Sequence, residues 1–285
     1  MQNKEVPFFV VNEPFGVEYK DEIVQQTVCA HTHNVAELYF TLTDLPDVLL
    51  NQTVSWVRQD SLIIIPPFCV HQLYHRENLE YRRYILNVDV NWMERVLVGS
   101  NVSLEYMKHA GQPMILSLGT EERAKLMEHL DALRNLRDCR DLRTMTQFFA
   151  VLQEIDSMVQ ERKREPEEKP LTVVGTQKRV NEIISYMNDC LMTGITVEQV
   201  AKHFFLNKDY LSRLFAKHTH TTIGHYMAMQ RIAKAQELLR SGKTVVQVQE
   251  MMEYSSYSYF HKSFQKLTGM SPSRYRLLYM QEKKE

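Results

Sequence analysis

Thr196, Val197, Gln199 and Val200 recur 48 positions later as Thr244, Val245, Gln247 and Val248, and Tyr210, Leu211, Phe215 and Lys217 recur 49 positions later as Tyr259, Phe260, Phe264 and Lys266. Each copy reads as a short helix, a turn and a second helix, and the one-residue change of offset puts an extra residue in the second turn. In the first copy Thr196 caps a helix whose first turn carries the acidic Glu198, where the helix dipole favours negative charge. Asn207 caps the next helix, on which Leu211, Leu214 and Phe215 form the inward stripe. Lys208, Asp209, Ser212, Arg213 and Lys217 are left outward. In the second copy Ser256 caps, Tyr259, Phe260 and Phe264 are expected inward, and Tyr257, Ser258, His261, Lys262, Gln265 and Lys266 outward. Residues 223–240 read as one long helix between the copies, with Tyr226, Met227, Ile232, Ala235, Leu238 and Leu239 on its buried side and a stop at Ser241-Gly242.

Outward rows of short polar and long basic side chains suit a DNA major groove. Arg can pair bidentately with guanine, Ser can reach base edges or phosphate, and Lys mostly meets phosphate. A rigid connecting helix would hold the two heads at a fixed separation, and roughly 34 Å would put them in successive major grooves. Charge supports this division. Residues 1–174 carry 18 Lys+Arg against 26 Asp+Glu, and residues 175–285 carry 16 against 9, so a net −1 conceals a basic C-terminal part. Such a part is the electrostatic footprint of a phosphate-binding module.

No apolar run approaches the roughly 18 residues that span a bilayer, and a cytoplasmic protein is expected. Cys29, Cys69, Cys139 and Cys190 lack C-x-x-C spacing, which argues against a zinc cluster or a disulfide framework. Residues 161–170, ERKREPEEKP, are dense in charge, hold two prolines and have nothing apolar to bury. The expected division is therefore 1–100, a sensing domain; 101–162, a helical segment; 163–174, a linker; and 175–285, the DNA-binding domain. Upstream, residues 23–30, 37–43, 53–57, 61–65 and 81–90 read as short strands of a small barrel or sandwich. From Thr120 the period becomes helical, with Leu126, Leu130, Leu133 and Leu136, then Phe148, Val151, Leu152, Ile155 and Met158. These helices would cover one opening of the barrel, and an apolar face left over would form a homodimer through residues 120–160.

The C-terminal part resembles the AraC family of bacterial transcription regulators. The residues that carry the resemblance are Ser258-Tyr259-Phe260, Phe264-Gln265 and Gly269-Met270-Ser271-Pro272-Ser273-Arg274-Tyr275-Arg276, with Tyr210 to Phe215 in the first unit and Arg231-Ile232, Ala235, Leu238 and Leu239 between them. It covers about a hundred residues. Pro272 also has a physical role as the first residue of a helix. The chain departs from the family at Gln249, Glu253 and His220, where small or glycine residues are usual. A left-handed Glu253 would cost about 1 kcal/mol relative to Gly, and a bulky Gln249 would loosen the two helices. The first unit is therefore expected to dominate sequence-specific binding.

His31-Thr32-His33, Glu37, Pro66-Pro67 and His71 resemble the cupin barrel, although Asp44 and Phe68 stand where its motif glycines are expected. These side chains either bind a divalent metal, or they line a ligand pocket or complete a hydrogen-bonded wall, and the second reading is favoured. With Tyr39 and Trp56, whose rings could stack on a sugar, His31, His33, Glu37 and His71 form the expected ligand set. The expectation is an α+β chain: a cupin-like β-barrel, a helical dimerisation segment and an all-α domain with two helix-turn-helix units. It would be a non-enzymatic regulator of promoter DNA and RNA polymerase, modulated by a small-molecule effector, with no cofactor or metal assigned. A metal-dependent cupin enzyme with an appended helical domain, and a regulator controlled by a protein partner, are the alternatives. The operator, the effector and the sign of regulation are not written in the sequence.

Overall fold

In a computed structural model the described residues are 13–24, 30–51, 53–74, 78–100, 102, 104–108, 112–136, 138–164 and 176–281. The N-terminal part contains β1 (Phe15–Ile23), β2 (Ala36–Thr41), β3 (Leu45–Leu50), β4 (Thr53–Val57), β5 (Ser61–Ile65), β6 (His71–Tyr74), β7 (Glu80–Val88), α1 (Val90–Val96) and β8 (Met114–Ser117). Strands β4 and β5 fall where the sequence puts them. The strand expected at 23–30 is instead β1, ending at Ile23, and residues 25–29, with Cys29, lie outside the described set.

Hydrogen bonding divides these strands into a five-stranded sheet, β1-β7-β2-β5-β8, and a three-stranded sheet, β4-β3-β6. The expected barrel is thus an open, two-sheet structure rather than a closed ring. Strand alternation explains its layers. Leu38, Phe40, Leu62 and Ile64 point from the large sheet into one apolar core, while Tyr39, Ile63 and Ile65 point the other way into a second core with Leu45, Val48 and Leu50 of the small sheet. Strands β2 and β5 are buried throughout because both faces of the sheet are covered.

Helices α2 (Thr120–Arg134) and α3 (Leu142–Arg164) lie on the outer face of the large sheet. Leu126, Leu130, Leu133, Phe148, Val151, Leu152, Ile155 and Met158 all enter that sheet's core, and Phe15 stacks on Phe148 at 3.9 Å. They therefore cover a sheet face rather than an opening, and their stripe is consumed within the chain. Helix α3 continues through Arg164, so the first residues of the expected linker are helical; 165–175 lie outside the described residues.

The C-terminal part is helical throughout: α4 (Thr176–Asp189), α5 (Val197–His203), α6 (Lys208–Thr219), α7 (Ile223–Arg240), α8 (Val245–Met251), α9 (Tyr257–Thr268) and α10 (Pro272–Gln281). It lies on the outer face of the small sheet. Leu49 and Val54 join Val180, Ile184, Leu211, Phe215 and Tyr226 in one core. Among the described residues no helix is long and apolar enough to cross a membrane.

Candidate DNA interface and a buried histidine cluster

The two helical pairs are α5–α6 and α8–α9, and their local chemistry repeats as the sequence does. Thr196 and Thr244 each accept a hydrogen bond from the backbone three residues on, and Gln199 and Gln247 accept one from the Thr backbone N–H to complete a capping box. Each turn contains one left-handed residue, Phe205 with φ 54° and Glu253 with φ 49°. Leu206 and Tyr254 then donate backbone hydrogen bonds to Ala201 and Gln249. The correspondence is kept at offset 48 through Tyr254 and resumes at 49 with the caps Asn207 and Ser256, so Ser255 is the inserted residue.

Leu211, Leu214 and Phe215 are buried on α6, and Phe260 and Phe264 on α9. Lys208, Asp209, Arg213 and Lys217 are exposed on α6 and Ser212 is half-buried; Tyr257, Ser258, Lys262, Gln265 and Lys266 are exposed on or beside α9 with Ser256, and His261 is half-buried. Lys208 is ion-paired with Glu198, so one of these cations is partly neutralised by its own unit. Tyr259 departs from expectation. It is 59% exposed, because Phe260 occupies the inward position and the neighbouring residue must turn about 100° around the helix. Its counterpart Tyr210 is 46% exposed. Tyr210 and Tyr259 are thus a matched surface pair that sequence reading missed, and the 49-residue offset was the signal available.

The departures from the family pattern have local explanations. Glu253 adopts the left-handed conformation expected of it. Gln249 does not loosen the unit, since its Nε2 donates to the Tyr254 carbonyl at 2.7 Å and closes the turn. His220 caps α6 with φ 52° and its ring stacks on Tyr74 of β6, centroids 3.5 Å apart. A glycine there would lose that contact between the sheet and the helices.

Of the expected ligand set, His31, His33, Glu37 and His71 converge. One ligand atom from each lies within 4.8 Å of all the others. Tyr39 is buried between the sheets as a core aromatic, and burial pushes its phenol far up. Trp56 stays outside. It shares the outer face of β4 with Val54, and α4 covers Val54 but leaves Trp56 55% exposed. Trp56 is not part of the convergent group, and Leu45, Val48, Leu50, Ile63 and Ile65 pack around Tyr39 between the sheets.

Within the cluster, His33 Nδ1 is 2.9 Å from the Val35 carbonyl and His71 Nδ1 is 3.0 Å from the Cys69 carbonyl. Carbonyls only accept, so both Nδ1 atoms carry hydrogen and both Nε2 atoms face inward. His33 Nε2 meets Glu37 Oε2 at 2.9 Å; His71 Nε2 is buried, has no hydrogen-bond partner among the described residues and stands 3.7 Å from that oxygen. Burial pushes the Glu37 carboxyl up, but the imidazoles of His33 and His71 outweigh it and hold it well below the usual range. Three imidazoles and one carboxylate, two of the rings oriented by backbone carbonyls, are a donor set suited to a divalent first-row transition metal. His31, His33, Glu37 and His71 would hold it.

A seam joins the sheets to the helices beside this cluster. Edge strand β4 has its Val54 N–H and C=O bound by Asn181 and Gln177 of α4, both at 2.9 Å. Tyr226 Oη and Gln230 Nε2 of α7 donate to the Asn51 carbonyl at 2.6 and 3.0 Å. Pro66-Pro67-Phe68-Cys69 forms a tight turn, closed by Cys69 N–H on the Pro66 carbonyl at 3.2 Å, with Phe68 at φ 63°. Its ring enters the core of the second unit beside Tyr275 and Tyr279, and the Arg240 guanidinium lies 3.4 Å from the ring centroid while donating to Tyr275 Oη at 2.6 Å. A cleft of about 490 Å³ opens along this seam, lined by Asn51, Phe68, Asn188, Met192, Lys234 and Arg240 among others.

Comparison with known proteins matches residues 200–277 to the family described as a helix-turn-helix domain. The chain is similar to the raffinose operon transcriptional regulatory protein of Pediococcus pentosaceus, 30% identical over 36% of this chain and 38% of that protein. It is similar to the Msm operon regulatory protein of Streptococcus mutans, 28% identical over 36% of this chain and 37% of that protein. The matches span little more than a third of these relatives. Among solved structures, the C-terminal domain of AraT, a response regulator from Geobacillus stearothermophilus, is 26% identical, with 38% of this chain and 88% of that one covered and a TM-score of 0.35. Residues 200–277, which match the helix-turn-helix domain family, fold as two capped helical pairs joined by one connecting helix.

Proposed function

We propose that the chain is a sequence-specific DNA-binding transcription regulator whose promoter binding responds to a small-molecule effector. The observation that carries the reading is the paired surface of α6 and α9, two equivalent helices whose apolar sides are buried and whose remaining sides present Arg213, Lys217, Lys262, Lys266 and polar neighbours. Lys208, Asp209, Ser212, Arg213 and Lys217 form the first head, and Ser256, Tyr257, Ser258, His261, Lys262, Gln265 and Lys266 the second; Tyr210 and Tyr259 join them. The relatives named as operon regulators support this reading, and a raffinose operon regulator among them favours a sugar or related metabolite as effector.

The effector acts by linkage: it must bind one arrangement of sheets and helices more tightly than another. The cleft at the seam is a place for it, because a molecule there touches both parts. The homodimer, if formed through 120–160, uses faces other than the buried stripe, such as that carrying exposed Leu142. RNA polymerase is the further partner this function implies, and the work is cytoplasmic.

The test selects duplexes from random DNA with the full chain and measures affinity against salt. The expected result is an enriched sequence with log affinity falling by about 0.9 per phosphate contact against log salt. Recovery of no sequence, or binding insensitive to salt, would sink the reading.

A further inference from the structure

The repeat extends beyond the two helix-turn-helix pairs. Val180, Ile183, Ile184 and Met187, the buried positions of α4, correspond at an offset of 52 to the buried Ile232, Ala235, Gln236 and Leu239 of α7. The offset falls to 48 at the caps Thr196 and Thr244, so the first unit carries four additional residues between its leading helix and its helix-turn-helix. Arg179 and Arg231 are therefore equivalent, and they make the same contact. Arg179 Nη2 donates to the Phe204 carbonyl at 3.2 Å and Arg231 Nη2 donates to the Met252 carbonyl, and these carbonyls end α5 and α8.

The surroundings of the two arginines differ. Arg179 is exposed, whereas Arg231 is half-buried. The Arg231 guanidinium lies 4.4 Å from the centroid of Tyr254, and that ring packs on Tyr259 and Phe260 of α9 at 5.9 and 4.9 Å. The first unit has Leu206 at this position. The four additional residues supply the other side. They form a 3₁₀ turn, Leu191–Thr193, ended by left-handed Gly194 with φ 60°. Met192 packs on the core of the second unit, and a methyl carbon at Gly194 would stand 3.5 Å from Arg231 Nη1 and 3.8 Å from the Glu253 carbonyl. One guanidinium thus stands where the entry turn of the first unit meets the inner turn of the second.

We propose that Arg231 is a positioning residue: with the turn at 191–194 it clasps the two units and fixes the separation and angle of their reading heads, an inference that rests on the DNA-binding reading above. Helix α7 gives both units one axis, but α8 and α9 meet that axis only through side chains of their shared core. Arg231 ties the turn between α8 and α9 to α7 and to the first unit at once. A planar, forked cation can cap a carbonyl, lie on a ring and abut a turn together, which the point charge of Lys does not reproduce. The clasp therefore selects the spacing of the two half-sites, while Arg231 itself touches no base.

The experiment uses the full chain in two arms. The first measures affinity for the selected duplex and for duplexes with one base pair added or removed between its half-sites, which moves one half-site by about 3.4 Å and about 34°. The native chain loses about tenfold or more at either altered spacing, the worth of a bidentate base contact. Arg231→Ala binds the selected duplex more weakly and loses less than about threefold on the same changes; Arg231→Lys restores only part of the discrimination. Arg179→Ala, which removes the equivalent cap but not the clasp, keeps the native discrimination. The second arm needs no DNA: nitroxides carried on non-canonical residues at positions 217 and 266 report the distance between α6 and α9. Its distribution is narrow in the native chain and in Arg179→Ala, and broad in Arg231→Ala and in Tyr254→Leu, which installs the residue of the first unit. Native spacing discrimination or a native distribution in Arg231→Ala overturns the clasp, as does equal broadening in Arg179→Ala. If no duplex is selected, the DNA-binding reading fails and the distances alone decide the clasp.

Discussion

The two helix-turn-helix units have the same internal construction but are held to the rest of the chain by different means. The first shares a core with the small sheet: Ala30, Leu49, Val54 and Val70 pack with residues of α4, α6 and α7, and Asn51, Val54 and Tyr74 add polar and aromatic contacts. Among the described residues, the buried core of the second takes one ring from outside the helical part, Phe68. A broad apolar interface resists small rearrangements because many side chains must repack together. A single inserted ring can leave more readily. The first unit is thus held fixed on the sheet, and the second is the one whose order can be adjusted.

The largest effect that sharpens this comparison comes from the cores. Phe215→Ala and Phe264→Ala each remove a fully buried ring, and each should cost about 3–5 kcal/mol in denaturant unfolding. Hydrogen exchange separates them: Phe215→Ala should also expose amides of β3 and β4, and Phe264→Ala should not. Equal exposure of the sheet in both would break the contrast. Next comes reading. Arg213→Ala should weaken binding to the selected duplex by about 1–3 kcal/mol, as for loss of a bidentate base contact, with a smaller loss for Lys262→Ala. The reverse ranking, measured by fluorescence anisotropy, would make the second unit the dominant head. Tyr226→Phe deletes the hydroxyl on the Asn51 carbonyl and should lower stability by about 1–2 kcal/mol; no change in the unfolding midpoint would mean that the seam contributes little there. The smallest effect is at the second turn. Glu253→Gly relieves a left-handed side chain and should raise stability by up to about 1 kcal/mol, and a decrease would show that Glu253 makes a contact worth more than its strain.

The helical part was legible because its signals are local. Thr196, Asn207, Ser256 and Pro272 begin helices by side-chain and backbone chemistry that needs no distant partner, and the 3.6-residue period marks Leu211, Phe215, Phe260 and Phe264 as inward. Tyr259 was misplaced because two adjacent aromatics cannot both face one core, and only packing decides between them. The sheet part was less legible. Strand β3 contains Pro46 and Asp47, and β6 and β8 have four residues each, too few to display alternation. The outward placement of Trp56 was illegible for a related reason: alternation shows which strand residues share a face but not which face is inside. The four residues of the histidine cluster were readable from their types and spacing. Phe68 was not, since its importance lies in a core assembled from residues far along the chain.

That core has a consequence for dissecting the protein. Excision of residues 176–285 would remove the ring that fills it and leave a hole of roughly a phenyl group, with Arg240 facing solvent. A short peptide bearing Pro66 to Val70 would be the missing piece, supplied in trans. The amino-terminal part, on this view, donates a structural fragment to the helix-turn-helix part, and the boundary drawn along the sequence differs from the boundary of the folded unit.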